Sequence, residues 1–136
     1  MDKLDKLIQK YVEAVMIHGK ESWAGDYKKA NTYYKVYTNY FIDICKYGVE
    51  GKNALKELLK HDSNFVRCSV AYHFLPFDST IGIKTLKKCK GKPEGVGFNA
   101  KTTIAEWNKG NLKFPIEKDG KILYVDANEF KTFWID

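Results

Sequence analysis

The run Gly95-Val-Gly-Phe-Asn-Ala100-Lys101-Thr102 is the stretch of this chain that comes nearest to a cofactor motif. It matches the phosphate-binding loop G-x-x-x-x-G-K-[ST] except at Ala100, where a second glycine would let the backbone wrap phosphate. That motif also needs a preceding buried strand, and Lys90-Gly-Lys-Pro-Glu does not read as one. Nucleotide hydrolysis is therefore not expected. A milder role survives, because free amides at a helix start beside Lys92 and Lys101 suit a phosphate or carboxylate. The other reactive residue types are scattered. His18, His61 and His73 form no His-x-x-x-His pair, and Cys45, Cys68 and Cys89 form no Cys-x-x-Cys. His73 follows Cys68 by five residues, which sets the two apart around a helix. The expectation is no metal, no cofactor and no catalytic residue.

Charge is more informative, once its position is read. The net charge is +6, and 22 of the 23 basic residues are lysines, Arg67 being the exception. Between Ile83 and Lys113 stand eight lysines, among them Lys84, Lys87, Lys88, Lys90, Lys92 and Lys101. Only Glu94 and Glu106 oppose them, so this segment holds the whole excess. A local basic surface can face an acidic partner. Lysine is a point charge without the planar fork of arginine, which favours a protein partner over nucleic acid. The predicted partner-binding residues are Lys84, Lys87, Lys88, Lys92, Lys101 and Trp107.

Amphipathic helices must carry these residues. Leu4, Leu7, Ile8, Tyr11, Val12 and Val15 form one stripe, with Asp2 as cap and Gly19 as the expected stop. Tyr27, Ala30, Tyr34, Tyr37, Phe41 and Ile44 form a second, read as core packing with a ligand-stacking groove as the alternative, and Gly48 ends it. Ala54, Leu55, Leu58 and Leu59 share a third face. Asp62 or Ser63 can cap a helix bearing Phe65, Val66, Val70, Ala71 and Phe74, which Pro76 ends. Asp78-Ser79 opens the next, with Ile81, Ile83 and Leu86. After the Gly-Pro loop, Phe98, Ala100, Ile104, Ala105 and Trp107 are the apolar residues of a last helix that stops near Gly110, with Trp107 either core or part of the interface. Leu55 and Leu58 match Ile83 and Leu86 at a shift of 28, with Val66 and Phe98 opening the second helix of each hairpin. Beyond Gly110, Asp119-Gly120 signals a β-hairpin spanning Phe114 to Val125. Asp126 caps a last turn with Phe130, Phe133, Trp134 and Ile135.

The run from Leu55 to Ala71, with leucines on the first helix, Asp62 in the turn and Val66-Arg67 on the second, resembles the HEAT-repeat pattern. The resemblance implies that Asp62 and Arg67 are structural residues that tie neighbouring repeats together. The stretch from Gly25 to Gly110 also resembles a bacterial family of small HEAT-like proteins catalogued as a domain of unknown function. It does so through Asp26-Tyr-Lys-Lys-Ala-Asn31, Val66-Arg67, Phe98-Asn-Ala100 and Glu106-Trp107-Asn-Lys-Gly110. What it implies is a fold, without an activity.

The chain is thus expected to be all-α. It reads as a HEAT-like stack of helical hairpins (an α-α superhelix) over residues 1–113, with a short C-terminal β-hairpin tail, 114–136, packed on it. No apolar run is long enough for a membrane span, and Met1-Asp-Lys-Leu-Asp lacks a signal peptide's apolar core. Three widely spaced cysteines suit reduced thiols in a cytoplasm. The expected role is a non-catalytic protein-binding module, of the immunity or antitoxin type, for a partner with an acidic patch. Nucleic-acid binding through the lysine-rich 83–113 segment is the alternative.

Overall fold

Side-chain caps divide the chain into helices. In the computed structural model, which describes residues 2–134, Asp2 accepts from the Asp5 amide at 2.8 Å and starts α1, Lys3–Ala24. The expected stop at Gly19 is wrong: the helix runs through it to Ala24. Gly19 is a close-approach residue, since a Cβ there would fall 2.4 Å from the Phe65 ring. The true stop is Gly25, whose φ of 88° is open to glycine at no steric cost. Asp26 then caps α2, Tyr27–Cys45. So short a connection makes α1 and α2 an antiparallel pair.

The remaining helices are α3 (Val49–Glu57), α4 (Asn64–Phe74), α5 (Ser79–Cys89), α6 (Val96–Asn108) and α7 (Ala127–Phe133). Leu58 and Leu59, expected on the third helix face, lie in a 3-10 turn that continues α3 and remain buried. Ser63, Asp78 and Asp126 cap α4, α5 and α7 through their side chains. The fold is therefore all-α with a C-terminal β-hairpin. No helix among the described residues is long and apolar enough to cross a membrane.

Helix α4 is central, in contact with α1, α5 and α6. It carries Val66, Val70, Ala71 and Phe74 into the core, each at most 1% exposed. Beside them a polar group is fully enclosed. The Tyr11 hydroxyl lies 2.7 Å from His73 Nδ1 and 3.2 Å from Ser69 Oγ. The His73 ring stacks on Phe41 at 4.0 Å. Burial drives the His73 pKa down to about 3, so the ring is neutral at physiological pH.

The hairpin pairs β1 (Phe114–Lys118) with β2 (Lys121–Val125) in the register Phe114↔Val125. Asp119 and Gly120 both take positive φ, 52° and 75°, as the two-residue turn demands. Phe114 stacks on Tyr72 with ring centres 5.0 Å apart, and Phe130 of α7 packs against Phe114 at 5.9 Å. Both phenylalanines are fully buried, worth about 2–3 kcal/mol each. Lys46–Glu117 (3.0 Å) and Tyr34–Tyr124 (3.0 Å) fasten the strands to α2. Phe133 of the last turn is largely exposed, and Ile135 lies outside the described residues.

Two further expectations are corrected. Tyr27 opens α2 in solvent, not in the core stripe. Phe98 is 74% exposed and Ala105 is exposed too; the buried residues of α6 are Val96, Gly97 and Ala100. At 100° per residue, Phe98 stands about 200° from Val96 and again from Ala100, so it faces away. The proposed match between Val66 and Phe98 fails with it. The Arg67 guanidinium reaches Cys89 of α5, where burial raises the thiol's pKa and the guanidinium's charge and hydrogen bond oppose that rise. It also donates to the carbonyls of His61 (2.7 Å) and Asp62 (3.2 Å) and to Asn64 Oδ1. Asp62 takes part through its carbonyl, and no ion pair joins it to Arg67 among the described residues.

Candidate functional site: a lysine face and an aromatic cleft

The lysine-rich segment lies on α5, on α6 and on the loop between them. Lys84, Lys87 and Lys88 recur at helical spacing, so α5 presents them together, around a shallow hollow shared with Ser79, Thr80 and Ile83. Lys92 and Lys101 are also exposed. The ion pairs among the described residues join Lys29 to Glu21 and Lys46 to Asp43 and Glu117. None involves a lysine between Ile83 and Lys113. Trp107 is brought elsewhere. It is half-buried, edge-on to Phe114 at 6.2 Å, and lines a separate hollow with Leu112 and Asp126.

The phosphate cradle expected at the start of α6 does not form. The amides of Val96 and Gly97 already donate to the carbonyls of Pro93 (3.2 Å) and Lys92 (3.1 Å). A tight loop has closed on itself, and an anion would have to displace its own backbone bonds.

The same loop closes one wall of a cleft that sequence reasoning did not locate. About 300 Å³ in volume, it lies between the C-terminal half of α1, the outer side of α4 and the start of α6. Val15, Phe65 and Val96 give it apolar walls, and His18, Ser22, Ser69, Asn99 and Thr103 line it with polar groups. Trp23 and Phe98, 62% and 74% exposed, also line it. Glu94 joins them from the loop with φ at 62°, a left-handed backbone that costs a non-glycine residue about 1 kcal/mol.

Electrostatics in the cleft are set by burial. Desolvation lowers the His18 pKa, so its imidazole is neutral at physiological pH, and it has no hydrogen-bond partner among the described residues. Its ring meets Tyr37 edge-on at 5.3 Å and Tyr34 at 6.1 Å. Burial also pushes the Cys68 thiol up to about 12, which keeps it protonated and a poor nucleophile. The Tyr72 hydroxyl donates to the Lys113 carbonyl. Among the described residues no three His, Cys, Asp or Glu side chains gather as a metal ion would need. The cleft thus combines apolar walls with polar groups that burial keeps uncharged.

Two signals could have revealed the cleft. Phe98 breaks the period of Val96, Ala100 and Ile104, and Trp23 follows a glycine that is not a stop. An aromatic off its helix stripe is a candidate surface anchor. No family model, curated protein or solved structure matches the chain.

Proposed function

We propose that the chain is a non-catalytic protein-binding module, a HEAT-like stack of helical hairpins that docks an acidic partner on its α5–α6 side. The observation that carries this reading is the set of unpaired lysines on that side. Lys84, Lys87 and Lys88 project from one face of α5, and none has a carboxylate within ion-pair distance among the described residues. Elsewhere the chain's acidic and basic residues balance, so the field of the molecule is concentrated here. Charge complementarity of this kind sets association rate and orientation. Neutralising one acidic partner, in the manner of an immunity or antitoxin protein, is a role that fits such a surface.

The same lysines support a second reading, nucleic-acid binding, because phosphates also demand unpaired cations. Titration with polyglutamate and with mixed-sequence duplex DNA, each over a salt series, separates the two. The protein-binding reading expects polyglutamate to bind and the double variant Lys87→Glu/Lys88→Glu to lose that binding with an unchanged melting temperature. Micromolar DNA binding that falls steeply with salt, with no response to polyglutamate, would reverse the order.

A further inference from the structure

We propose that the cleft between α1, α4 and α6 is a binding site for a small organic cation, an alkylated ammonium in chemical class. Two features of its lining point to this ligand. The first is aromatic content. Five of its sixteen lining residues are Trp, Tyr or Phe: Trp23, Tyr37, Phe65, Tyr72 and Phe98. Aromatics make up only 15% of the chain, and two of these five are largely exposed to water. Aromatic faces carry negative charge density, and clusters of them take quaternary ammonium groups.

The second is charge. None of the chain's 23 basic residues lines the cleft, and its charged lining residue is Glu94. On a molecule of net +6 this is a local inversion of sign. The other titratable groups facing it are His18 of α1, Tyr37 of α2, and Cys68 and Tyr72 of α4, all uncharged at neutral pH. A cation therefore meets a carboxylate and aromatic side chains with no opposing charge. An anion would meet the reverse, and the Val96 and Gly97 amides at the start of α6 are already bonded.

The volume of about 300 Å³ is at the small end of ligand pockets, which suits a headgroup rather than an extended molecule. The same chemistry arrives either as a free ion such as choline or as a trimethylated lysine side chain on another protein. A cation here needs no acidic partner on α5, so this site stands or falls separately from the lysine face.

Titration followed by amide chemical shifts, at fixed ionic strength, tests the site with three probes. They are choline, its uncharged isostere 3,3-dimethylbutan-1-ol, and a glycine-flanked trimethyllysine peptide. Choline is expected to saturate in the millimolar range and to shift the amides around Trp23 and Glu94, with the isostere at least about tenfold weaker. Trp23→Ala and Glu94→Gln are each expected to weaken it by about five- to tenfold with unchanged melting. Tighter binding of the peptide than of choline would assign the cation to a protein; the opposite order would assign it to a free ligand. Binding of the isostere as tight as choline, no saturable response to either cation, or full affinity in both variants would overturn the proposal.

Discussion

Two groups built from the same residue types share α1 and α4 and behave oppositely. In the core, Tyr11 of α1 meets Ser69 and His73 of α4, and the three satisfy one another within 3.2 Å. Seven residues along α1, two helical turns away, His18 faces the cleft with no hydrogen-bond partner among the described residues. Tyr37 lies between the two, its ring edge-on to His18 at 5.3 Å and to His73 at 5.9 Å. Ser69 belongs to both, bonded to Tyr11 and lining the cleft. The difference is closure. Where α1, α2 and α4 pack directly, polar atoms must find one another because water cannot reach them. Where α6 and its loop stand off, the same kinds of atom are left for something else to satisfy.

The largest expected effect comes from breaking the closed group. Tyr11 is fully buried, so Tyr11→Ala opens a cavity and strands His73, at a cost of about 3–5 kcal/mol. Trp23→Ala, on the open side, should cost less than about 0.5 kcal/mol. Denaturant midpoints for the two variants would measure this directly. Similar losses in both would mean the cleft is part of the core.

Acid should distinguish the groups next. His73 has its ordinary pKa of 6.5 when unfolded and about 3 when folded, so the unfolded chain binds the extra proton between those values. Stability from this residue is complete above pH 6.5 and drains as pH falls towards 3, by at most about 1.4 kcal/mol per pH unit. His18, also lowered, acts in the same direction. Carboxylate protonation overlaps this range, so the informative quantity is the difference between the parent and His73→Phe. Equal pH slopes in the two would show that His73 is not held neutral.

The smallest effect probes the boundary itself. Gly19 lines the cleft, and a Cβ there would meet the Phe65 ring at 2.4 Å. Gly19→Ala gains helix propensity but must push that ring, for a net loss of about 1–2 kcal/mol. It should also narrow the cleft and weaken the cation site. A stabilised Gly19→Ala would show that Phe65 turns aside freely.

Much of the fold was legible because its signals are local. A cap needs an oxygen three residues before an amide, and Asp2, Ser63, Asp78 and Asp126 each provide one. The Asp119-Gly120 turn and the Leu4 to Val15 stripe are equally short-range statements, written in neighbours two to four residues apart. The lysine face was legible for the same reason, since Lys84, Lys87 and Lys88 share one helix. Gly19 misled because a glycine reads alike as a helix end or as room for a neighbour, and only the approach of Phe65, 46 residues away, separates them. Phe98 misled because hydrophobicity was counted while its angle around α6 was not. The cleft draws on α1 near Trp23, α4 near Cys68 and the loop at Glu94. No spacing along the chain encodes that meeting, because it depends on how three packed helices cross. Periodicity and caps were determined by the amino-acid sequence through contacts within a turn; which polar atoms are sealed and which stay open was decided only when distant helices met.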